Sequence, residues 1–495
     1  MPVLVLAGSG ASQRTNGPTG FTGALDDYRW PGVARILYLA HSLPPEEYTG
    51  TPLTTHGYAR SMAARGWDVT VVSPSANAVS WTAAPFRREG EAFTCIEVPR
   101  TPHLGARWSI EAPTDDAGGW SQGAAAFRRI LREQAPDLVH VVNNVHLPLD
   151  VPEMAKAEGV PVVRTVTCAE DLCGLVAPVS PRSGPAGYCS APLTPEQCAR
   201  CVEEALAEPG AAPDGEAHRE LVAHLVRKRA RAAAQYHRVF DRVIFPSHAF
   251  RRYFEQTLPL DPARVRVVEM GLDLGPWPPA AGVPEGGRRP RADGEPVVLC
   301  LAGAWDPVKV GAGLVEAFTT GPLAERSDYR LVCLGAGHRH LVDPLLANPN
   351  VELRGAYRPE DLPAVLADVD VGLAPSNFET FHRVTREYLL AGLPVIGSRA
   401  FGILDIIRDG VNGLLFDRAE PGALAHAVTR LLDDRALLDH LTQGAAATRV
   451  RSLEDEAEEL AALYDDLLAQ MRGSVAGALP SARPLPFRRK HAAMR

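Results

Sequence analysis

The stretch VDVGLAPSNFETFHRVTREYLLAGLPVIGS, residues 369–398, constrains the fold more than any other part of this chain. VDVGLAP is a continuous apolar run of the kind that a strand buried on both faces requires. The turn-like PSN follows, then a helical segment from about Phe381 to Ala391, then Gly392 and a second apolar strand, LPVIGS. Strand, loop, helix and strand make a βαβ unit, and its loop lies at the strand's carboxyl end, where open α/β sheets bind ligands. A helix start offers unpaired N–H groups and positive potential, which suits phosphate. Two carboxylates, Glu379 and Glu387, flank it, with seven residues between them. Carboxylates repel phosphate but accept hydrogen bonds from hydroxyl pairs. The combination predicts a ligand carrying both phosphate and sugar. A helix-start charge and a solvated helix residue are the plainer alternative.

Other apolar runs extend the pattern. RILYLAHSLPP (35–45) reads as a first strand, followed by a long loop, EEYTGTP, and a helix ending near Arg65-Gly66. DVTVVSP, FTCIEV, DLVHVV, PVVRTV, RVIFPS and RVRVVE continue as short strands, with helical segments between most of them. Residues 275–295, GPWPPAAGVPEGGRRPRADGE, are rich in Pro and Gly and read as a linker. A second series follows it: VVLCLAG, RLVCLG, VELRG, VDVGLAP and LPVIGS. The fold class is therefore α/β, with two Rossmann-like doubly wound domains facing a cleft. The expected division is an irregular leader (1–32), an N-terminal domain (33–274), the linker, a C-terminal domain (296–452), an amphipathic crossing helix (453–472) and a disordered basic tail (473–495).

At 495 residues, two domains are the expectation. The net charge of -8 gives no reason to expect a nucleic-acid partner. No run of about 18 apolar residues marks a transmembrane span, and the N-terminus is a poor signal peptide. A cytoplasmic protein is expected. The basic tail leaves weak association with an anionic membrane surface open.

The 369–398 stretch resembles the donor site of the retaining glycosyltransferases of family 4, which have the two-domain GT-B fold. Their pattern PS..E.F......EA...G.PVI is matched by Pro375, Ser376, Glu379, Phe381, Glu387, Gly392, Pro394, Val395 and Ile396. GILDIIRDGVNGLLF looks like the family's continuation, and the resemblance spans roughly 35–470. It implies a hexosyltransferase-type enzyme that moves a sugar from a UDP- or GDP-linked donor with retention of configuration, and the richness in Ala, Arg, Gly and Pro suggests a high-GC bacterial source. It implies no divalent metal for the chemistry. The acceptor is left open among a natural product, a lipid-linked saccharide and a polysaccharide. A catalytically weakened nucleotide- or sugar-binding protein of the same fold is the alternative.

The resemblance also assigns roles. Gly303 and Lys309 in AGAWDPVKVGAG match a segment in which the lysine faces the diphosphate. The family's arginine position holds Ala304, which removes a bidentate phosphate grip; Arg383 is a candidate substitute. Glu387 would accept from the ribose hydroxyls and Glu379 from the transferred sugar. The N–H groups near Phe381 and His382 would face the distal phosphate. His382 stands where the family usually has glycine, and would line the sugar pocket. Gly50-Thr51 falls where a glycine loop touches the diphosphate. The family's His-Asp pair after the fifth strand reads RTVTCAEDLC here, which makes Thr167, Glu170 and Asp171 catalytic candidates. His146, with Asn143 and Asn144, is a further cleft candidate.

Five of the eight cysteines lie between 168 and 201. Certain family members carry a similar insert, here 168–201; the resemblance makes 33–274 the acceptor domain, whose acceptor side the insert borders, and 296–452 the nucleotide-sugar donor domain. Cys173, Cys189, Cys198 and Cys201 would form a tetrahedral zinc site. Reduced thiols, a disulfide and an iron–sulfur cluster are the other readings.

Overall fold

A computed structural model gives the structure of residues 33–82, 84–100, 120–175, 178–179, 188–189, 194–206, 215–275, 277 and 294–478. The expected leader, most of the linker, the tail beyond 478 and most of the loop between Leu175 and Thr194 lie outside the described residues.

The N-terminal half runs β1 (Arg35–Leu39), α1 (Gly50–Ala64), β2 (Asp68–Ser75), β3 (Thr94–Pro99), α2 (Trp120–Gln134), β4 (Leu138–Val141), α3 (Val151–Ala157), β5 (Val162–Thr165), α4 (Pro195–Leu206), α5 (Gly215–Ala234), β6 (Arg242–Phe245), α6 (His248–Glu255) and β7 (Val265–Val267). The C-terminal half runs β8 (Val297–Ala302), α7 (Ala312–Thr319), β9 (Tyr329–Leu334), β10 (Val351–Arg354), α8 (Leu362–Leu366), β11 (Val371–Ala374), α9 (Arg383–Leu390), β12 (Val395–Ser398), α10 (Phe401–Leu404), β13 (Gly413–Phe416), α11 (Ala423–Asp433), α12 (Arg435–Ala446) and α13 (Leu453–Ala478).

Each half is one parallel sheet, ordered β3-β2-β1-β4-β5-β6-β7 and β10-β9-β8-β11-β12-β13. Parallel strands need helical crossovers, so both faces are covered and the strands are apolar throughout. Leu37, Leu39, Val139 and Val141 are buried in the first sheet, and Val297, Leu299, Val371 and Leu373 in the second. The strand order reverses between β1 and β4, and again between β8 and β11. These reversals open crevices at the carboxyl ends of the strands.

The chain crosses between the halves twice, side by side. Leu272 N donates to Arg451 O at 3.0 Å, and Leu453 N donates to Leu272 O at 2.8 Å. A Cβ on Gly271 would stand 2.0 Å from the Ser452 carbonyl oxygen, so only glycine fits this crossing. Beyond it, α13 lies against the N-terminal half, where Leu460, Tyr464 and Leu467 pack with Ile36, Tyr38 and Tyr58. This helix continues to Ala478, past the point at which the sequence suggested a disordered tail.

Candidate active site

The loop between β11 and α9 is held from three sides. From β8, the Tyr388 hydroxyl donates to Cys300 O at 2.8 Å and accepts from Ala302 N at 2.8 Å, pinning α9 to the sheet. From within α9, the buried Arg386 guanidinium bonds Phe381 O and Gly402 O and lies 3.8 Å above the Phe381 ring. The same guanidinium donates to Glu269 of the N-terminal half at 2.8 Å. From the loop after β13, Arg418 donates to Ser376 O at 2.8 Å and to Asn377 O. Neither arginine stood out in the sequence. Each matters because of carbonyls from distant segments, and no local pattern announces that.

His382 explains where α9 begins. It adopts the left-handed conformation with φ 55°, which glycine takes without strain and histidine does not. Its Nδ1 accepts from Thr385 N at 3.1 Å and so caps the helix. The helix therefore starts at Arg383, two residues later than the sequence suggested. Burial, with the charges of Lys309 and Arg386, holds the imidazole well below its usual pKa. A neutral ring whose Nδ1 accepts carries its proton on Nε2, and Nε2 stands 3.7 Å from Glu379 Oε1.

Around this loop lies a pocket lined by Gly303, Ala304, Trp305, Lys309, Ser376 and His382, among others. Lys309 Nζ donates to Glu379 Oε1 at 2.5 Å. Glu379 is only 5% exposed, and it reaches the pocket through the lysine that lines it. Glu387, one turn into α9, accepts from Arg383 Nε at 2.7 Å. Arg383 is thus held by Glu387 within the first turns of α9.

The structure distributes the N-terminal candidates differently. Gly50 and Thr51 form the first turn of α1 rather than a free loop, and a Cβ on Gly50 would meet nothing within 4 Å. Thr167 stands next to the C-terminal loop, since its carbonyl oxygen accepts from Thr380 Oγ1 at 2.8 Å. Glu170 and Asp171 share the buried guanidinium of Arg164, at 2.5 and 2.9 Å. Asn143 Nδ2 and the Cys168 thiol take the second Glu170 oxygen, at 2.9 and 3.1 Å, and the Tyr236 hydroxyl donates to Asp171 at 2.7 Å. Burial raises the Asp171 pKa, but Arg164 and Tyr236 outweigh it and hold the group below the usual range. His146 sits at a left-handed turn, φ 64°, and does not line this pocket.

The expected zinc site finds no support among the described residues. Among the described residues no three His, Cys, Asp or Glu side chains are grouped to hold a metal. Cys173, Cys189, Cys198 and Cys201 are free thiols. Leu175 N donates to the Cys173 sulfur at 3.3 Å and Arg229 Nη2 to the Cys198 sulfur at 3.0 Å, so local donors occupy these two. The segment does reach the site. Tyr188 packs edge-on against Phe401 at 5.2 Å, and Arg418 stands 5.4 Å from its ring centroid.

Comparison with known proteins matches this architecture. Residues 49–271 match the family described as glycosyl transferase 4-like domain, and residues 295–434 match glycosyl transferases group 1. The first span lies in the N-terminal half and the second in the C-terminal half. A D-inositol 3-phosphate glycosyltransferase of Salinispora arenicola is 32% identical over 209 residues, covering 37% of this chain and 45% of that protein. A GDP-mannose-dependent alpha-mannosyltransferase of Corynebacterium glutamicum is 30% identical over 183 residues, covering 34% and 44%. The chain spans about half the length of the curated relatives it matches.

Solved structures show the fold to be GT-B. Sucrose-phosphate synthase from Thermosynechococcus elongatus superposes with a TM-score of 0.60 at 18% identity, covering 88% of this chain and 100% of that one. HepE of Anabaena, in complex with UDP and glucose, gives 0.57 at 16% identity, with coverage of 88% and 100%. Among the described residues, no helix is long and apolar enough to cross a membrane.

Proposed function

We propose that this protein transfers a hexosyl group from a nucleotide-sugar donor to an acceptor with retention of anomeric configuration. The observation that carries the reading is the pairing of Lys309, on the wall of a pocket, with the buried Glu379 in the loop that leads into α9. HepE is solved with UDP and glucose, and one relative is named for GDP-mannose, so a UDP- or GDP-linked hexose is the donor class.

In this reading the diphosphate lies against the first N–H groups of α9, which have no helical partners. Lys309 turns from Glu379 to the phosphates and offsets the charge that grows on the leaving group. Glu379, released from the lysine, accepts from hydroxyls of the transferred sugar, and neutral His382 Nε2–H donates beside it. Glu387 accepts from the ribose diol, and Arg383 turns to the diphosphate in place of the arginine missing at Ala304. A front-face course suits this set, because the leaving phosphate itself takes the acceptor proton. The rate then comes from orientation and charge stabilisation. Glu170 and Asp171 act as positioning groups through Arg164.

The test is incubation with UDP- and GDP-hexoses, following nucleotide release and the anomer first formed by NMR. The expected result is slow hydrolysis giving the α-anomer from an α-linked donor, lost in Glu379→Ala. An initial β-anomer overturns retention. No turnover, together with no thermal shift from UDP or GDP, overturns the whole reading.

A further inference from the structure

One side chain clamps the segment that carries Glu379. The Arg386 guanidinium, only 1% exposed, donates through Nη1 to Phe381 O and, at 3.1 Å, to Gly402 O. Gly402 N in turn donates to Glu379 O at 3.2 Å. A Cβ on Gly402 would stand 2.3 Å from the Phe381 carbonyl carbon, so glycine is what lets the two segments touch. A cation buried this deeply needs a counter-charge. Among the described residues the carboxylate it bonds is Glu269, whose Oε1 accepts from Nε at 3.3 Å and from Nη2 at 2.8 Å. Glu269 belongs to the other half. It follows β7 and stands two residues before Gly271, where the chain crosses. A second bond joins the same segment to the N-terminal half, since Thr380 Oγ1 donates to Thr167 O at 2.8 Å.

The two ends of the donor site are supported differently. α9 is pinned to β8 through Tyr388, and Glu387 and Arg383 hold each other within the helix. The groups read as binding ribose and phosphate therefore stay in place whatever the other half does. Glu379 and His382 flank Phe381, whose carbonyl is fixed by a guanidinium that leans on the N-terminal half. Resting on the reading of the donor site, we propose that Glu269 is a positioning residue for the transferred sugar: through Arg386 it sets the Phe381 carbonyl, and with it the placement of Glu379 and His382. It touches no substrate itself. The sugar end of the site is set only while the two halves meet, and the nucleotide end is set at all times. Asp405 also acts on Arg386 electrostatically, so the C-terminal half keeps a counter-charge near the guanidinium when Glu269 is removed.

The test is calorimetry on the full chain, comparing UDP with UDP-glucose and GDP with GDP-mannose. Amide hydrogen exchange is read on the same proteins without ligand, at Gly402 N and Thr385 N, which bond Glu379 O and His382 Nδ1. Glu269→Ala should weaken nucleotide-sugar binding about fivefold, as the loss of one partly exposed charge-assisted bond implies. UDP and GDP affinity should stay within about twofold, and protection of the two amides should fall about fivefold by the same bond. Glu269→Gln keeps an acceptor oxygen in place, so about half of the logarithmic loss should be recovered. Equal losses for nucleotide and nucleotide sugar mark a purely structural role and overturn the proposal, as does unchanged protection at both amides. If Glu269→Ala fails to fold, Glu269→Gln decides: a loss confined to the nucleotide sugar supports the proposal, and no loss overturns it. If the unsubstituted chain binds neither nucleotide nor nucleotide sugar, the donor reading fails, and the amide protection still decides whether Glu269 sets the segment. Nucleotide binding with unchanged protection counts against this inference alone.

Discussion

Both halves of the molecule place two carboxylates just beyond the carboxyl end of a central parallel strand, and their surroundings could hardly differ more. After β5, Glu170 and Asp171 are spanned by one guanidinium that is itself only 1% exposed, with Asn143, Cys168 and Tyr236 filling further positions. After β11, Glu379 and Glu387 each hold one cation of their own, and both cations reach solvent: the Lys309 side chain is 35% exposed and Arg383 22%. The first pair is locked. The second is held by partners that can swing to an arriving diphosphate and leave the carboxylates for hydroxyls. Topology brings acids to both places, but the freedom of the cation beside each acid decides whether it supports the fold or handles a ligand.

The largest effect should come from the locked side. Arg164→Met leaves buried Glu170 and partly buried Asp171 without a counter-charge, and breaking a buried pair in this way costs about 3–5 kcal/mol. Urea unfolding measures it. A loss under about 1 kcal/mol, the range of solvated pairs, would erase the contrast. On the open side, Lys309→Ala should leave the unfolding midpoint nearly unchanged and lower kcat/KM for the donor about 10²–10³-fold, the range seen when one charge-stabilising donor is removed. Equal rates would place the lysine outside the chemistry.

A third test addresses the junction that holds the two sheets together. Glu456 on α13 accepts from the Tyr58 hydroxyl at 2.5 Å and from Gly271 N at 2.7 Å. Burial pushes its pKa from 4.5 up to about 7. The folded state therefore holds a proton that the unfolded chain has released, and stability is lost as pH rises from 4.5 through 7. His140, bonded to Tyr464 at 2.6 Å and Thr165 at 2.7 Å, is pushed by burial from 6.5 down to about 3. Its stability is present above 6.5 and lost as pH falls towards 3. The two slopes oppose each other between 4.5 and 6.5. Glu456→Gln should remove one slope, worth about 3 kcal/mol over its full range, and leave stability climbing with pH up to 6.5. An unchanged profile from denaturation at pH 5, 6, 7 and 8 would mean that Glu456 is not buried with an unusual pKa.

The sheets were legible because strands buried on both faces must be apolar throughout; RILYL, LVHV, VVLCLA and VGLA announce themselves. The donor loop was legible because its acids, glycine and proline sit in one short stretch. The start of α9 was misplaced by two residues, because a histidine took the left-handed position reserved for glycine. Gly50-Thr51 read as a loop because α1 begins at a glycine with no side-chain cap on Thr49. The cysteines suggested a metal by spacing alone, and spacing could not show that Arg229 and the Leu175 N–H face two of them. Arg386 and Arg418 were invisible, since an arginine that gathers carbonyls from other segments has no local pattern.

The smallest expected effect bears most directly on the open side. In this structure Arg383 rests on Glu387, so nucleotide binding must part them. Glu387→Gln removes a charged acceptor for the ribose diol, and charge-assisted bonds contribute about 1.5–3 kcal/mol each. It also frees Arg383, but a pair whose cation reaches solvent is worth only about 0–1 kcal/mol. The first term wins, so UDP or GDP affinity should fall about tenfold by calorimetry. Arg383→Ala removes one phosphate contact and releases a carboxylate near the diphosphate, and should cost about two- to threefold. The ranking carries the information. If Arg383→Ala costs more than Glu387→Gln, the arginine is the principal phosphate grip, and Ala304 marks a place where the guanidinium has moved from β8 to α9 rather than been lost.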